Sequence, residues 1–325
     1  MATYKDIHGS KIQNVSSDPP ASVAGDLWYN STSGDLKVNL GTPVGSWATS
    51  GDLNTARRTL GGAGTQTAAL AFGGNTPPHT AITESYNGSS WTEVNDLNTP
   101  RGYLAGSGVN NTACLAFGGS PPTTAATENW NGSNWTEVND LNTARSNLTG
   151  VGSNTAALAI GAVAGAGDAL TELWNGSNWT ETTDFNTSRY KLAGAAGTST
   201  AAIIAGGNSD AIGNELALTE VWNGSNWTEV NDLNSGRASG GASVIGTTTA
   251  ALIGGGRLAP AVTGITESWN GTNWTEVADL NVARSRLAGA GNDSAALAFG
   301  GATPPHSAAT EEWNLSGGVS TIDAS

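Results

Sequence analysis

The chain has 325 residues; glycine is abundant, with 45 copies, whereas charged residues make up only 12%. Alanine, serine, threonine and asparagine fill much of the remainder, so we predict an all-β protein of strands and turns. The formal net charge of −14 argues against binding nucleic acid or an anionic membrane through a basic surface, and the single cysteine, Cys114, excludes an intrachain disulfide.

The first 46 residues do not share the pattern of the rest of the chain. They lack the apolar core of a signal peptide, and no later stretch has the length and hydrophobicity of a membrane span. The segment DPPASVAGDLWYNSTSGDLKVNL predicts a linker and then a β-hairpin, with Trp28, Tyr29, Leu36 and Val38 in apolar contact across the turn. We therefore predict an arm over residues 1–46, a candidate attachment segment, and a domain over residues 47–325.

From Trp47 onward the sequence repeats itself. A tryptophan opens each copy, and successive copies begin 44, 44, 44, 48 and 47 residues apart. A period of this length indicates a repeat architecture. The six tryptophans are Trp47, Trp91, Trp135, Trp179, Trp227 and Trp274.

Turn residues divide each copy into four short strands. The first follows a recurring arginine and is rich in small residues, as in RSRLAGAG, and the second is an apolar run that ends at glycine, as at 68–74. The third has the form TELWN, and the fourth, WTEV, follows a turn such as Asn131-Gly132-Ser133. Asn-Gly between two strands favours a tight hairpin because the central residues of such a turn need positive φ.

Six such sheets predict a propeller. A single four-stranded sheet of this size cannot bury both faces, whereas sheets stacked around an axis can. The strand with the smallest side chains then lies next to the axis, and the Trp strand lies outermost. Because the chain ends with only the first three strands of a copy, we predict that the Trp47 strand completes the last blade. In the alternative closure, the C-terminal GVSTIDAS forms that outer strand.

The copies resemble the kelch family over about residues 47–314. The resemblance rests on an arginine before the first strand, a glycine pair closing the second, an aromatic residue in the third and a tryptophan opening the fourth. It implies a six-bladed kelch-like β-propeller. Gly161-Ala162 and Ser239-Gly240 depart from the pattern. The third-strand aromatic residues are Tyr86, Trp130, Trp174, Trp222, Trp269 and Trp313.

The loops after the second strands are the most variable part of the repeat, and we expect the binding face there. In the alternative interpretation they are tolerated insertions without a role. Closure would make His79 and His306 neighbours, but two imidazoles without further ligands do not predict a metal site, and we expect no cofactor. The candidate binding residues are Pro77, Pro78, His79, Pro121, Pro122, Asp168, Asp210, Asn214, Arg257, Pro304, Pro305 and His306.

The repeat arginines are predicted to form a structural ring, because acidic residues accompany each of them and a buried guanidinium needs such a partner. Holding an anion at the channel mouth is the alternative role. We predict no catalytic residues and no enzymatic activity, because the paired carboxylates recur in every copy, whereas a catalytic pair should be unique. The ring comprises Arg57, Arg101, Arg145, Arg189, Arg237 and Arg284.

The phrase GDLWYNSTSG at 25–34 is similar to segments near the start of tail-fibre and other virion proteins of bacteriophages, especially marine ones. This resemblance implies a virion protein that is assembled in the host cytoplasm. Residues 1–46 would bind other virion proteins, and the loops would bind a glycan or protein of the host surface. The resemblance is also compatible with a homo-oligomer. Two alternatives remain: a purely architectural decoration or fibre subunit, and a carbohydrate-active enzyme.

Overall fold

The computed structural model describes residues 12–19, 26–39, 44–161, 169–209, 212, 215–239, 242–316 and 319–321. These residues form β-strands and turns, and the strands assemble into seven four-stranded sheets. Within this described part of the chain, no helix is long and apolar enough to cross a membrane. The chain divides into two compact units, one of residues 1–46 with 315–325 and one of Trp47–Asn314.

Six of the sheets are the antiparallel blades of a β-propeller, as predicted. In five of them the four strands follow in sequence order from the inside outward, and in the sixth the outermost strand is the early strand β4. The innermost strands are β5 (Gly61–Gly64), β9 (Ala105–Asn110), β13 (Thr149–Gly152), β17 (Gly194–Gly197), β21 (Ala242–Gly246) and β25 (Ala288–Asn292). The second strands are β6 (Ala69–Phe72), β10 (Ala113–Phe117), β14 (Ala157–Ile160), β18 (Ala202–Ala205), β22 (Ala251–Leu258) and β26 (Ala295–Phe299).

The two outer strands of each blade carry the aromatic residues of the repeat. In the third blade, for example, Trp174 lies directly opposite Trp179 in the antiparallel register. The third strands are β7 (Thr83–Tyr86), β11 (Thr127–Trp130), β15 (Thr171–Trp174), β19 (Thr219–Trp222), β23 (Ala261–Trp269) and β27 (Thr310–Ser316). The outermost strands are β8 (Trp91–Val94), β12 (Trp135–Val138), β16 (Trp179–Glu181), β20 (Trp227–Val230), β24 (Trp274–Val277) and β4 (Val44–Thr49).

The hairpins between third and outermost strands turn at the Asn-Gly dipeptides. In the second blade, Gly132 has a φ of +91°, a conformation that glycine adopts readily. The Oδ1 atom of Asn131 accepts hydrogen bonds from the backbone N–H groups of Ser133 and Asn134, at 3.0 and 2.9 Å. The side chain of asparagine thus satisfies the donors that the turn leaves free.

Small residues let the innermost strands converge on the axis. Each innermost strand packs against that of the next blade, and β25 packs against β5. A Cβ atom on Gly106 would lie 2.7 Å from the carbonyl oxygen of Gly62 in the neighbouring blade and 2.5 Å from the ring of Phe72. A larger residue at this position would force the two blades apart.

Six hydrophobic clusters fill the six interfaces between consecutive blades. The cluster between the last and first blades joins Phe299 and Leu297 to Leu60 and Trp91. Indole hydrogen bonds accompany this packing at five of the interfaces: Nε1 of the outermost-strand Trp donates to Oγ1 of a third-strand Thr in the preceding blade. The five bonds are Trp47 to Thr266, Trp91 to Thr310, Trp135 to Thr83, Trp179 to Thr127 and Trp274 to Thr219.

The N-terminal strand completes the last blade, as predicted. The order of the sixth sheet is β25-β26-β27-β4. The carbonyl of Trp47 accepts a hydrogen bond from Asn281 Nδ2 over 3.0 Å, the same contact that Asn54 makes to Trp91 in the first blade. The C-terminal segment does not take this place, because β28 (Val319–Thr321) pairs with β3 (Asp35–Asn39).

The first unit has its own sheet, in the order β1 (Gln13–Val15), β2 (Leu27–Asn30), β3, β28. Strands β2 and β3 form a hairpin that pairs Tyr29 with Leu36, and Tyr29 is exposed whereas Trp28 is buried. Asp18 connects the sheet, because it accepts hydrogen bonds from Trp28, Asn30 and Lys37. These bonds lower the pKa of Asp18, the bond from Asn30 most of all. The C-terminal residues thus belong with the arm, so the second unit ends at Asn314.

Candidate functional site

The six repeat arginines are buried inside the blades. Each forms an ion pair with a glutamate on the third strand of its own blade, and none of the six lines the central cavity. The second carboxylate oxygen of Glu84 accepts two hydrogen bonds from Asn54, at 2.7 and 2.8 Å. Both side chains of this pair are fully buried. The pairs are Arg57–Glu84, Arg101–Glu128, Arg145–Glu172, Arg189–Glu220, Arg237–Glu267 and Arg284–Glu311.

The aspartates that precede the arginines do not pair with them but accept hydrogen bonds from the third strand. Asp96 Oδ1 accepts a hydrogen bond from the backbone N–H of Thr83 over 3.0 Å, at the start of the third strand. Asp140, Asp184 and Asp232 bond in the same way to the first residue of a third strand. Asp279 does so to Thr266 within β23, and Asp52 does so to Thr310. The recurring glutamate of the third strand and the recurring aspartate before the arginine therefore both hold the blade together.

The loops between second and third strands emerge at one end of the propeller, which we name the mouth face. Pro77, Pro78, Pro121 and Pro122 are exposed there. Pro304 and Pro305 are exposed in the loop of the sixth blade, and Arg257 is exposed at the end of β22. Asp168, Asp210 and Asn214 lie outside the described residues.

The two loop histidines lie on either side of one asparagine. Asn75 Nδ2 is 3.3 Å from His79 Nε2, and Asn75 Oδ1 is 3.3 Å from His306 Nε2, so the loops of the first and sixth blades meet, as closure predicts. Partial burial lowers the pKa of both imidazoles, and the nearby Arg58 guanidinium lowers it further. Both rings are therefore neutral at pH 7. No group of three His, Cys, Asp or Glu side chains able to hold a metal ion occurs among the residues the structure describes.

A ring of six residues surrounds the axis at the mouth face, and sequence reasoning missed it. Each residue stands two positions after a repeat arginine, and each has a φ between +48° and +57° although none is glycine. A left-handed conformation costs a non-glycine residue about 1 kcal/mol or more. The mouth ring comprises Thr59, Tyr103, Asn147, Lys191, Ser239 and Arg286.

Backbone hydrogen bonds join the mouth ring into a closed circle. The N–H of each residue donates to the carbonyl of its equivalent in the preceding blade, over 2.7 to 3.3 Å. The last of these bonds runs from the Thr59 N–H to the Arg286 carbonyl at 2.9 Å, and joins the first blade to the sixth. This circle is the reason for the shared left-handed conformation. It constrains the backbone and leaves the side chain free to vary.

The mouth ring forms one end of a central cavity of about 550 Å³. The innermost strands line the rest, mainly with glycine and alanine and with a few larger side chains such as Val151 and Ser107. The cavity is of a size that holds small ligands in other proteins. A signal for the ring was present in the sequence: the position between a constant Arg and a frequent Leu holds a different residue in every copy.

No family model matches the sequence, and a search among curated proteins finds no match. Among solved structures, one described as "Structure of YjhT" aligns with 85% of this chain and 100% of its own, with a TM-score of 0.67 and 11% sequence identity. At this level of identity the likeness shows the fold alone, which is a β-propeller.

Proposed function

We propose that this protein is a non-enzymatic virion protein of a bacteriophage, of the kelch-like repeat type, whose propeller presents its mouth face to the host surface. One observation supports the binding role above all: the six repeats differ from one another at the mouth face, in the loops and in the mouth ring. Variable positions on a rigid scaffold are where binding residues concentrate. The resemblance of 25–34 to phage virion proteins supports the location on a particle.

The constant residues of the repeat have structural partners, which supports the search for function elsewhere. The Arg–Glu pairs lie inside the blades, and five of the six outermost-strand tryptophans bond to the neighbouring blade. The third-strand tryptophans donate to a carbonyl within their own blade, as Trp130 does to Asn111. The exposed loops, by contrast, share no structural contact that recurs from blade to blade among the described residues. They are the part of the propeller that a ligand reaches first.

Residues 1–46 are proposed as the attachment segment, which binds other virion proteins. Their sheet has two edge strands among the described residues, β1 and β28. Edge strands present unpaired backbone groups to which another chain can add a strand.

Competition for host cells tests the binding role. Full-length protein, added to host cells before the phage, should reduce adsorption in proportion to the sites occupied. To locate the binding face, Thr123→Cys on the mouth face and Ser89→Cys at the opposite end are each coupled to a maleimide-linked polyethylene glycol. Both positions are exposed, whereas the native Cys114 is buried. The polymer at 123 should abolish competition and the polymer at 89 should preserve it.

Unchanged adsorption at saturating unmodified protein would exclude host recognition by this chain. The architectural alternative would then be tested on particles: protein without residues 1–46 should fail to join them, while the variant with polymer at 123 should join normally. Screening the full-length protein for turnover of glycans tests the third candidate, a carbohydrate-active enzyme.

A further inference from the structure

One buried asparagine connects the loops of the first and sixth blades at the mouth face. The backbone of Asn75 pairs with Arg58 and, across its own loop, with His79. Ala302 holds the equivalent position in the sixth blade and pairs with His306. The side chain of Asn75 lies between the two histidines, and only 9% of the residue is exposed. The two loops thus meet at a largely buried amide, where a lost hydrogen bond is not readily replaced by one to water.

The amide of Asn75 requires opposite roles from the two imidazoles. Its Nδ2 donates to His79 Nε2 over 3.3 Å, so this ring nitrogen must carry a lone pair rather than a proton. Its Oδ1 accepts from His306 Nε2, also over 3.3 Å. Turning the amide over exchanges the two roles but does not change their number. Both hydrogen bonds therefore exist together only while one of the two imidazoles is neutral.

The charged neighbour of both histidines has the same sign as an imidazolium. It is Arg58, whose guanidinium lowers the pKa of His79 and of His306. The Nε–H of Arg58 is itself buried and has no hydrogen-bond partner among the described residues. The ring of Tyr103, whose centroid lies 5.9 Å from that of His79, brings no charge. A proton added to the accepting imidazole therefore breaks a hydrogen bond and places a second positive charge near Arg58.

We propose that the two hydrogen bonds of the Asn75 side chain form a proton-sensitive connection, which holds the loops of the first and sixth blades together at neutral pH and releases them in mild acid. The proton comes from solvent and binds the ring nitrogen that accepted from Asn75, so that two donors then face each other. Pro77 and Pro78 of one loop and Pro304 and Pro305 of the other are exposed, so separation of the loops changes the surface that a ligand meets. This inference rests on the proposed function, and it adds that recognition of the host surface depends on pH.

Side-chain NMR signals of the full-length protein test the connection directly. The imidazole signals are assigned by their loss in His79→Gln and His306→Gln, and the side-chain NH₂ signals of Asn75 by their loss in Asn75→Ala. Between about pH 7.5 and about pH 5, the two imidazoles should titrate below the ordinary pKa of 6.5 that the urea-unfolded chain should show. The Asn75 NH₂ signals should shift with the same midpoint as the accepting imidazole, because they lose their acceptor when that ring is protonated.

Spin labels measure whether the loops separate. Thr76→Cys and Thr303→Cys place one label in each loop, and the native Cys114 is buried and should stay unlabelled. The distance between the two labels, measured by electron paramagnetic resonance, should increase from about pH 7.5 to about pH 5. Thr123→Cys with Leu258→Cys is the control pair, since these exposed positions belong to the second and fifth blades. Its label distance should not change.

The substitution Asn75→Asp keeps the size of the side chain and should reverse the response. An ionised carboxylate only accepts hydrogen bonds, so it binds protonated imidazoles best. In this variant the pKa of His79 and that of His306 should rise above 6.5, and the labels at 76 and 303 should stay together in acid. Asn75→Ala introduces the residue type that the sixth blade has at the equivalent position, and it should separate the loops at both pH values.

Two results would overturn the proposal: a label distance that stays the same in acid although both imidazoles are protonated, or the same pH response in the wild type and in Asn75→Asp. These outcomes are separate from the fate of the proposed function. Protein that blocks phage adsorption while its loops stay together in acid refutes the proton-sensitive connection alone. Loops that separate in a protein that never competes with phage refute host recognition alone.

Discussion

The Tyr86 hydroxyl donates a hydrogen bond to Glu312 across the seam between the first and last blades, and its oxygen lies 2.6 Å from Oε1. Ser50 Oγ lies 2.7 Å from the same carboxylate oxygen. The other five blades have tryptophan in place of Tyr86, with the indole N–H bonded to a carbonyl of its own blade. The first blade is therefore connected to the sixth through the side chain of a third-strand tyrosine, a connection that the other five blades lack.

This connection should make the free energy of unfolding depend on pH in the alkaline range. Burial, and next the hydrogen bond to Glu312, raise the pKa of Tyr86 from 10.0 to about 12. Between these values the folded protein retains a proton that the unfolded chain loses, so the free energy of unfolding falls as pH rises. The contribution is fully present below pH 10 and is lost toward pH 12. Urea unfolding across this range should show a smaller decrease for Tyr86→Phe than for the wild type.

The exposed Tyr29 provides the control, since Tyr29→Phe should leave the alkaline decrease as it is. Below pH 10, Tyr86→Phe should also be about 1 kcal/mol less stable than the wild type, because the partly buried carboxylate of Glu312 loses one of its hydrogen-bond donors. Equal pH dependence in the wild type and Tyr86→Phe would contradict the assignment.

Neutralising the glutamate of a buried ion pair should destabilise the propeller strongly. Glu84→Gln leaves the buried Arg57 guanidinium without a counter-charge, which costs about 3–5 kcal/mol. Glu93 lies opposite Glu84 in the same blade but is exposed, so Glu93→Gln should change stability by less than about 0.5 kcal/mol. Denaturant unfolding of the two variants measures the difference, and similar losses would show that the pair is not important for stability.

The indole hydrogen bonds between blades can be measured with an internal control. Trp135 Nε1 donates to Thr83, whereas the equivalent Trp227 Nε1 and its expected partner Thr171 Oγ1 are both buried without a partner. Replacing either tryptophan by phenylalanine removes similar apolar volume. Trp135→Phe should therefore cost about 1–2 kcal/mol more than Trp227→Phe in urea unfolding. Equal costs would mean that the hydrogen bond adds nothing to the packing.

Cys114 should report the opening of the second blade. The side chain is fully buried in β10, and burial raises the pKa of its thiol well above the usual value. Because the thiolate is the reactive form, the native protein should resist alkylation at mildly alkaline pH. Urea-unfolded protein should be labelled rapidly, as followed by mass spectrometry. Fast labelling of native protein would show that this blade opens locally.

The fold could be predicted far better than the candidate site. The spacing of the tryptophans, the Asn-Gly turns and the small residues after each arginine are local signals that recur six times. Even the pairing of Trp47 with the last blade followed from counting strand types. By contrast, the predicted end of the domain at residue 325 took no account of β28, whose pairing with β3 depends on contacts far apart in the sequence.

The sequence alone determined the number of blades, the order of strands within each and the buried role of most aromatic residues, because each repeat encodes these features locally. Tertiary structure decided which residues meet from different repeats. Lys191, Ser239 and Arg286 are distant along the chain, and only the circle of backbone hydrogen bonds makes them neighbours at one opening. The same closure places Glu312 against Tyr86 and Asn75 between His79 and His306. Each repeat encodes the contacts within its own blade, whereas the contacts around the axis form only when all six blades are assembled.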